Sequence, residues 1–187
     1  MRLLAPDSSR RVPWKNGLGS TLEVATDAAV PGGDWTWRLS IADVPSRAPF
    51  SAFPGIDRFI ACLKGPGLFL EHRGARRSVP QEGVALPFPG EDAVTGEPAG
   101  PGVRDVNLML RRDRWRGRMT LVRGRAGVFE APLIVVHSAG VSGLLRAETP
   151  EGRVELEPGR TMVAGGRVDL APAPEGAAAV CELHPVD

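Results

Sequence analysis

Between Trp35 and Val44 the side chains alternate: Trp35, Trp37, Leu39 and Ile41 interleave with Thr36, Arg38, Ser40 and Ala42. A period of two is that of a β-strand, and it gives this one an apolar face and a second face carrying Arg38 and Ser40. Shorter apolar runs predict further strands at residues 20–25, 58–64, 67–73, 83–88, 118–123, 131–138, 153–157, 161–163 and 178–184. Gly or Pro separates most of them, and no segment sustains a helical stripe. Short strands with turn residues between them predict an all-β barrel or sandwich.

Residues 87–101 hold four prolines and three glycines, so the pattern predicts the longest connection of the chain there. On either side an apolar strand, a Pro/Gly turn and a second strand recur, as at 78–86 and 154–163. The repetition favours two stacked barrel-like units, residues 1–112 and 113–187, over one irregular sheet.

Composition narrows the partner more than the fold. A chain of 187 residues can bury roughly 70% of its extended surface, enough for a sizeable core. The net charge of +1 supplies no overall field for nucleic acid or anionic lipid, so neither is expected as a partner. Cys62 and Cys181 each sit in an apolar run and read as buried free thiols, in keeping with a reducing cytoplasm. Residues 1–7 hold no signal-peptide apolar core, and no window approaches the ~20 apolar residues of a membrane span. A cytoplasmic protein with a small partner is the expectation.

The chemistry concentrates in a few polar residues. The chain has two lysines, Lys15 and Lys64, and two asparagines, Asn16 and Asn107, so Lys15-Asn16 sets two scarce side chains side by side. Arg38, if its face of the strand lines a barrel interior, needs an anion, either Asp57 or a ligand carboxylate matched to its planar fork. Pro54-Gly55 suits a type II turn that presents Asp57 and Arg58 at the mouth of the following strand. Asn107 offers both amide donors and an acceptor ahead of an apolar run. The arginines at 111, 112, 114, 116 and 118 read as a solvated face. His72, His137 and His184 are distant singles without His-x-His spacing, so neither a metal nor a cofactor is expected. No nucleophile elbow appears.

Four ordered blocks carry a family resemblance: Trp14-Lys15-Asn16-Gly17-Leu18-Gly19-Ser20-Thr21, Trp37 to Ala42, Pro49 to Arg58, and Asp105 to Arg112. Over residues 13–112 the chain resembles the HutD/Ves family, with Leu18 interrupting the run of glycines usual there. The resemblance implies a cupin-type double-stranded β-helix with two barrel halves in one chain, a bicupin, that is metal-free. It also implies a link to histidine utilisation through binding of N-formylglutamate. Two carboxylates and a formamide call for cationic and amide donors, which Lys15, Asn16, Arg38, Arg58 and Asn107 supply; Ser40 and Asp57 complete the candidate ligand-binding set. A small-acid binding protein, without cofactor and with a homodimer left open, is the first expectation. The alternative is a metal-independent cupin enzyme, an isomerase or deformylase, with Asp57, His72 and Lys15 for proton transfer.

Overall fold

A computed structural model describes residues 1–14, 20–140 and 143–187. Apart from a single 3-10 turn at Pro6–Ser8, every regular element among them is a strand, as the alternation predicts. The strands form three antiparallel sheets.

A six-stranded sheet lies at the centre, in the order Leu86–Pro89, Ile56–Lys64, Arg104–Arg111, Trp37–Asp43, Ser20–Thr26, Arg10–Pro13. A four-stranded sheet runs Ala48–Pro49, Val94–Pro98, Leu68–His72, Ala75–Ser78. The third sheet runs Gly152–Leu156, Leu145–Thr149, Thr161–Pro172, Gly127–Ser138, Ala177–Pro185, Trp115–Arg123, Gly83–Val84. Its eighth strand, Arg2–Leu4, pairs with Thr161–Pro172.

Alternation assigns the two faces of the central sheet to different neighbours. Trp37, Leu39, Val106, Leu108 and Leu110 pack with Met119, Leu121, Val135, Cys181 and Leu183 of the eight-stranded sheet in one buried core. On the opposite face Ile60, Cys62 and Phe88 join Leu68, Leu70 and Val94 of the four-stranded sheet in a second core. That same face carries Arg38, Ser40, Arg58, Asp105 and Asn107. A third core lies within the eight-stranded sheet, around Ile134, Val136, Leu156 and Met162. Both cysteines are free and fully buried.

Two expectations fail at prolines and glycines. Residues 87–101 are not a long connection, because Leu86–Pro89 and Val94–Pro98 both form strands. Leu86–Pro89 is an edge strand, where Pro87 and Pro89 can dispense with ladder donors, and Pro98 is the last residue of its strand. The single strand expected at 83–88 is two, in different sheets: Gly83–Val84 pairs with Trp115–Arg123, and Leu86–Pro89 pairs with Ile56–Lys64. Gly83, with φ of 82°, takes a left-handed conformation open to glycine as the chain turns into the first of them.

Candidate functional site

The polar part of the central sheet's inner face opens into a cavity of about 190 Å³. Strand register gathers its polar lining. Asn107 lies opposite Ser40 on one side and Ile60 on the other, while Met109 lies between Arg38 and Arg58. Ser20–Thr26 adds Thr21 and Glu23, and a bulge between Glu23 and Ala25 then turns Ala25 with Val24 into the apolar core. Trp14, Pro49, Phe50 and Phe53 form the apolar wall, with the Trp14 indole donating to Thr21 Oγ1 at 2.7 Å.

Arg58 is only 6% exposed. Its Nη1 donates to the Ser51 carbonyl at 3.2 Å. With the Asn107 carboxamide turned so that its oxygen faces Arg58, that oxygen accepts from Nη2 and the amide nitrogen donates to the Leu108 carbonyl at 3.3 Å. Aromatic rings surround the cation: its Cζ lies 5.0 Å from the Phe50 centroid, 5.0 Å from Phe88 and 5.7 Å from Phe53. Burial, and more weakly the neighbouring Arg38, lower its pKa to about 10 against the pull of Asp105, so it stays charged at neutral pH.

Arg38 stands beside it, with Nη2 2.9 Å from the Met109 thioether and Cζ 4.9 Å from the Trp35 ring and 5.5 Å from Phe53. Burial lowers its pKa, and the negative charge of Glu23 opposes that. The Nε of both arginines is buried without a hydrogen-bond partner, and among the described residues neither guanidinium forms an ion pair. A thioether, a carbonyl and an amide oxygen are weak company for two cations, because charge-assisted pairing with a carboxylate is the stronger bond. The arrangement can bind the carboxylate of a small acid.

Arg38, Ser40, Arg58 and Asn107 thus share one cavity. Asp57 does not join them. It is adjacent to Arg58 on a strand, so it points to the opposite face, where its half-exposed carboxylate accepts from Arg112 Nε at 2.8 Å. Arg38 therefore does not find its anion in Asp57. Lys15, Asn16 and the unusual Leu18 lie outside the described residues. His72 is 2.6 Å from Asp92 and does not line the cavity. Arg111 and Arg112 of the arginine-rich segment are taken up in exposed pairs with Asp113, Asp57 and Glu91, and Arg118 pairs with the buried Glu182.

Two carboxyl groups went unselected in the sequence. Asp105 lines the cavity, is 4% exposed, and burial pushes its pKa up to about 7, against the pull of Arg58 and a hydrogen bond from the Ala42 backbone. The signal was the two-residue spacing to Asn107, which puts both on one face of a strand. Glu23, also lining the cavity, sits next to a bulge that spoils the alternation pointing to it.

Among the described residues no three His, Cys, Asp or Glu side chains converge as a metal site, and no helix is long and apolar enough to cross a membrane.

The family model for HutD matches residues 7–181. The chain belongs to the HutD family. An uncharacterized 21.2 kDa protein of the hutC 3′ region of Pseudomonas putida is 33% identical over 144 residues, 76% of this chain and 75% of that protein. Protein Ves of Cronobacter sakazakii is 36% identical over 119 residues, 60% of this chain and 65% of that protein. HutD of Pseudomonas fluorescens SBW25, in a formate condition, superposes with a TM-score of 0.79 at 26% identity, over 100% of this chain and 99% of that one. E. coli YlbA (TM-score 0.66, 11% identity, 97% and 89% covered) and Bacillus subtilis oxalate decarboxylase (0.62, 7%, 98% and 76%) share the fold alone, which is of cupin type.

Proposed function

We propose that this HutD-family chain binds a small acid, N-formylglutamate or a related metabolite, in the Arg38/Arg58 cavity and thereby modulates histidine utilisation in the cytoplasm. The observation that carries the reading is the pair of guanidinium groups, Arg58 buried and Arg38 half-buried, that line one cavity beside Asn107, each with a buried Nε lacking a hydrogen-bond partner and neither with a carboxylate partner among the described residues. Removing two cations from water without a counter-charge is unfavourable, and a bound dicarboxylate would offset that cost. Family membership and the hutC-region origin of the Pseudomonas putida relative support the metabolic setting. In this reading residues 1–112 and 113–187 are two cupin-like halves of one unit, tied by Arg2–Leu4 and Gly83–Val84, which pair with the eight-stranded sheet. Lys15 and Asn16, in the segment after Trp14, complete the donor set. The test is titration calorimetry with N-formyl-L-glutamate; a wild-type protein that releases no binding heat across a range of temperatures refutes it.

A metal-independent enzyme acting on the same acid is the second reading. Asp105 favours it, as a cavity-lining carboxyl titrating close to neutrality, where a general acid–base works best. Turnover of formylated or keto acids that disappears in Asp105→Asn with ligand affinity retained would establish it.

A further inference from the structure

Asp105 sits where an acid-binding cavity has least use for a negative charge. It projects from the same face of Arg104–Arg111 as Asn107 and lines the same cavity, and it is nearly devoid of solvent contact. Its cross-strand neighbours are Ala42 and Cys62, which offer no counter-ion. Arg58, the cation that acts on it, spends its hydrogen bonds on the Ser51 carbonyl and the Asn107 oxygen instead.

The other charged or titratable groups around it are few. On its own strand Arg104 is turned outward in a pair with Asp43. Trp37–Asp43 contributes Arg38 to the cavity and Asp43, whose charge also disfavours ionisation of Asp105. Ile56–Lys64 contributes Arg58, the exposed Lys64, and the Cys62 thiol, which Asp105 helps to push up. Ser20–Thr26 contributes Glu23 to the cavity. Among the described residues the cavity lining so holds two cations and two carboxyls, and an entering dianion adds like charge beside a carboxylate that water cannot screen.

Resting on the acid-binding reading above, we infer that Asp105 is a ligand-binding residue that works protonated: the cavity takes up one proton from solvent with each acid anion, and the Asp105 carboxyl then donates a hydrogen bond to it. Two buried carboxylates close together cannot both stay ionised, so the proton and the anion enter as a pair. Among the described residues the donor row then includes Arg38, Arg58, Asn107 and Asp105. The ligand class is a dicarboxylate or an acyl amino acid, with at least one carboxylate for the arginines and a further oxygen for Asp105. Rising pH reverses the pairing, because the free carboxylate of Asp105 competes with the ligand for Arg58. The pKa of Asp105, raised by burial, agrees with this.

The experiment is calorimetric titration of the full chain with N-formyl-L-glutamate and with glutarate, each in buffers of different ionisation enthalpy. The expected slope is about one proton taken up per acid at about pH 8.5, falling toward zero at about pH 5.5, with Kd weakening about tenfold per pH unit above about 7. Asp105→Asn, which cannot ionise, is expected to bind with no proton uptake and a Kd that is flat with pH. Buffer-independent heats in the wild type at pH 8.5, or an unchanged uptake in Asp105→Asn, overturn the inference while leaving acid binding intact. Binding of neither acid at pH 5.5, where Asp105 already carries its proton, overturns the acid-binding reading and this inference with it. Should Asp105→Asn fail to fold, carbon-13 NMR of the wild-type Asp105 carboxyl decides: a protonated carboxyl at pH 8.5 in the complex is expected, and an ionised one overturns the proposal.

Discussion

Replacing Asp105 by Asn should change how the stability of the ligand-free protein depends on pH. Burial raises the folded-state pKa of Asp105 from the 3.8 usual for an aspartate to about 7. A carboxyl whose pKa is raised by folding holds its proton more tightly in the folded than in the unfolded chain. Its contribution is therefore fully present below about pH 4 and is lost as pH rises to 7. At about 1.4 kcal/mol per pH unit, that loss amounts to about 4 kcal/mol in all, more than half of it between pH 5 and pH 8. In Asp105→Asn this part of the profile disappears, because the amide has no proton to lose. Any constant cost of housing the amide cancels in the comparison of slopes. Urea denaturation followed by tryptophan fluorescence, run at intervals from pH 5 to pH 8 on both proteins without ligand, measures it; the four tryptophans provide the signal. Wild-type stability should fall relative to the variant by about that amount across the range. Parallel profiles would show that Asp105 ionises at an ordinary pH, through water entry or closer pairing with Arg58, and the account of a costly buried charge would fail.

Arg38→Ala should weaken binding of N-formyl-L-glutamate by about 2 to 5 kcal/mol, roughly 30-fold to several thousandfold, as read by calorimetry at low salt. Asp57→Asn should leave acid binding unchanged and alter unfolding free energy by less than about 1 kcal/mol, since its pair with Arg112 lies half exposed on the face away from the cavity; a large loss of affinity would put Asp57 back in the site. Gly90→Ala should destabilise the fold by about 1 to 3 kcal/mol in denaturant titration. A Cβ at Gly90 would lie 2.6 Å from the Phe53 carbonyl oxygen and 2.8 Å from that of Ile56, so the turn must shift. Phe53, part of the cavity wall, would shift with it and weaken acid binding.

The sequence by itself determined the β class and the two faces of the strand at Trp37–Asp43. Trp37, Leu39 and Ile41 against Arg38 and Ser40 follow from alternation alone, because successive side chains on a strand point to opposite sides whatever the rest of the chain does. The same rule, applied to Asp57-Arg58 and to Asp105-Val106-Asn107, would have sent Asp57 to the face opposite Arg58 and placed Asp105 beside Asn107. Tertiary structure alone decided which face looks into a cavity and which into a core, since both are shielded from water and differ only in what packs against them. It also decided how the prolines of residues 87–101 could sit in strands, by giving them an edge and a strand end. Most of all it decided the electrostatics of the site. Bringing Arg38, Arg58 and Asp105 together depends on antiparallel pairing between segments tens of residues apart in the chain. The shift of Asp105 follows from its exclusion from water, which no local stretch of sequence encodes.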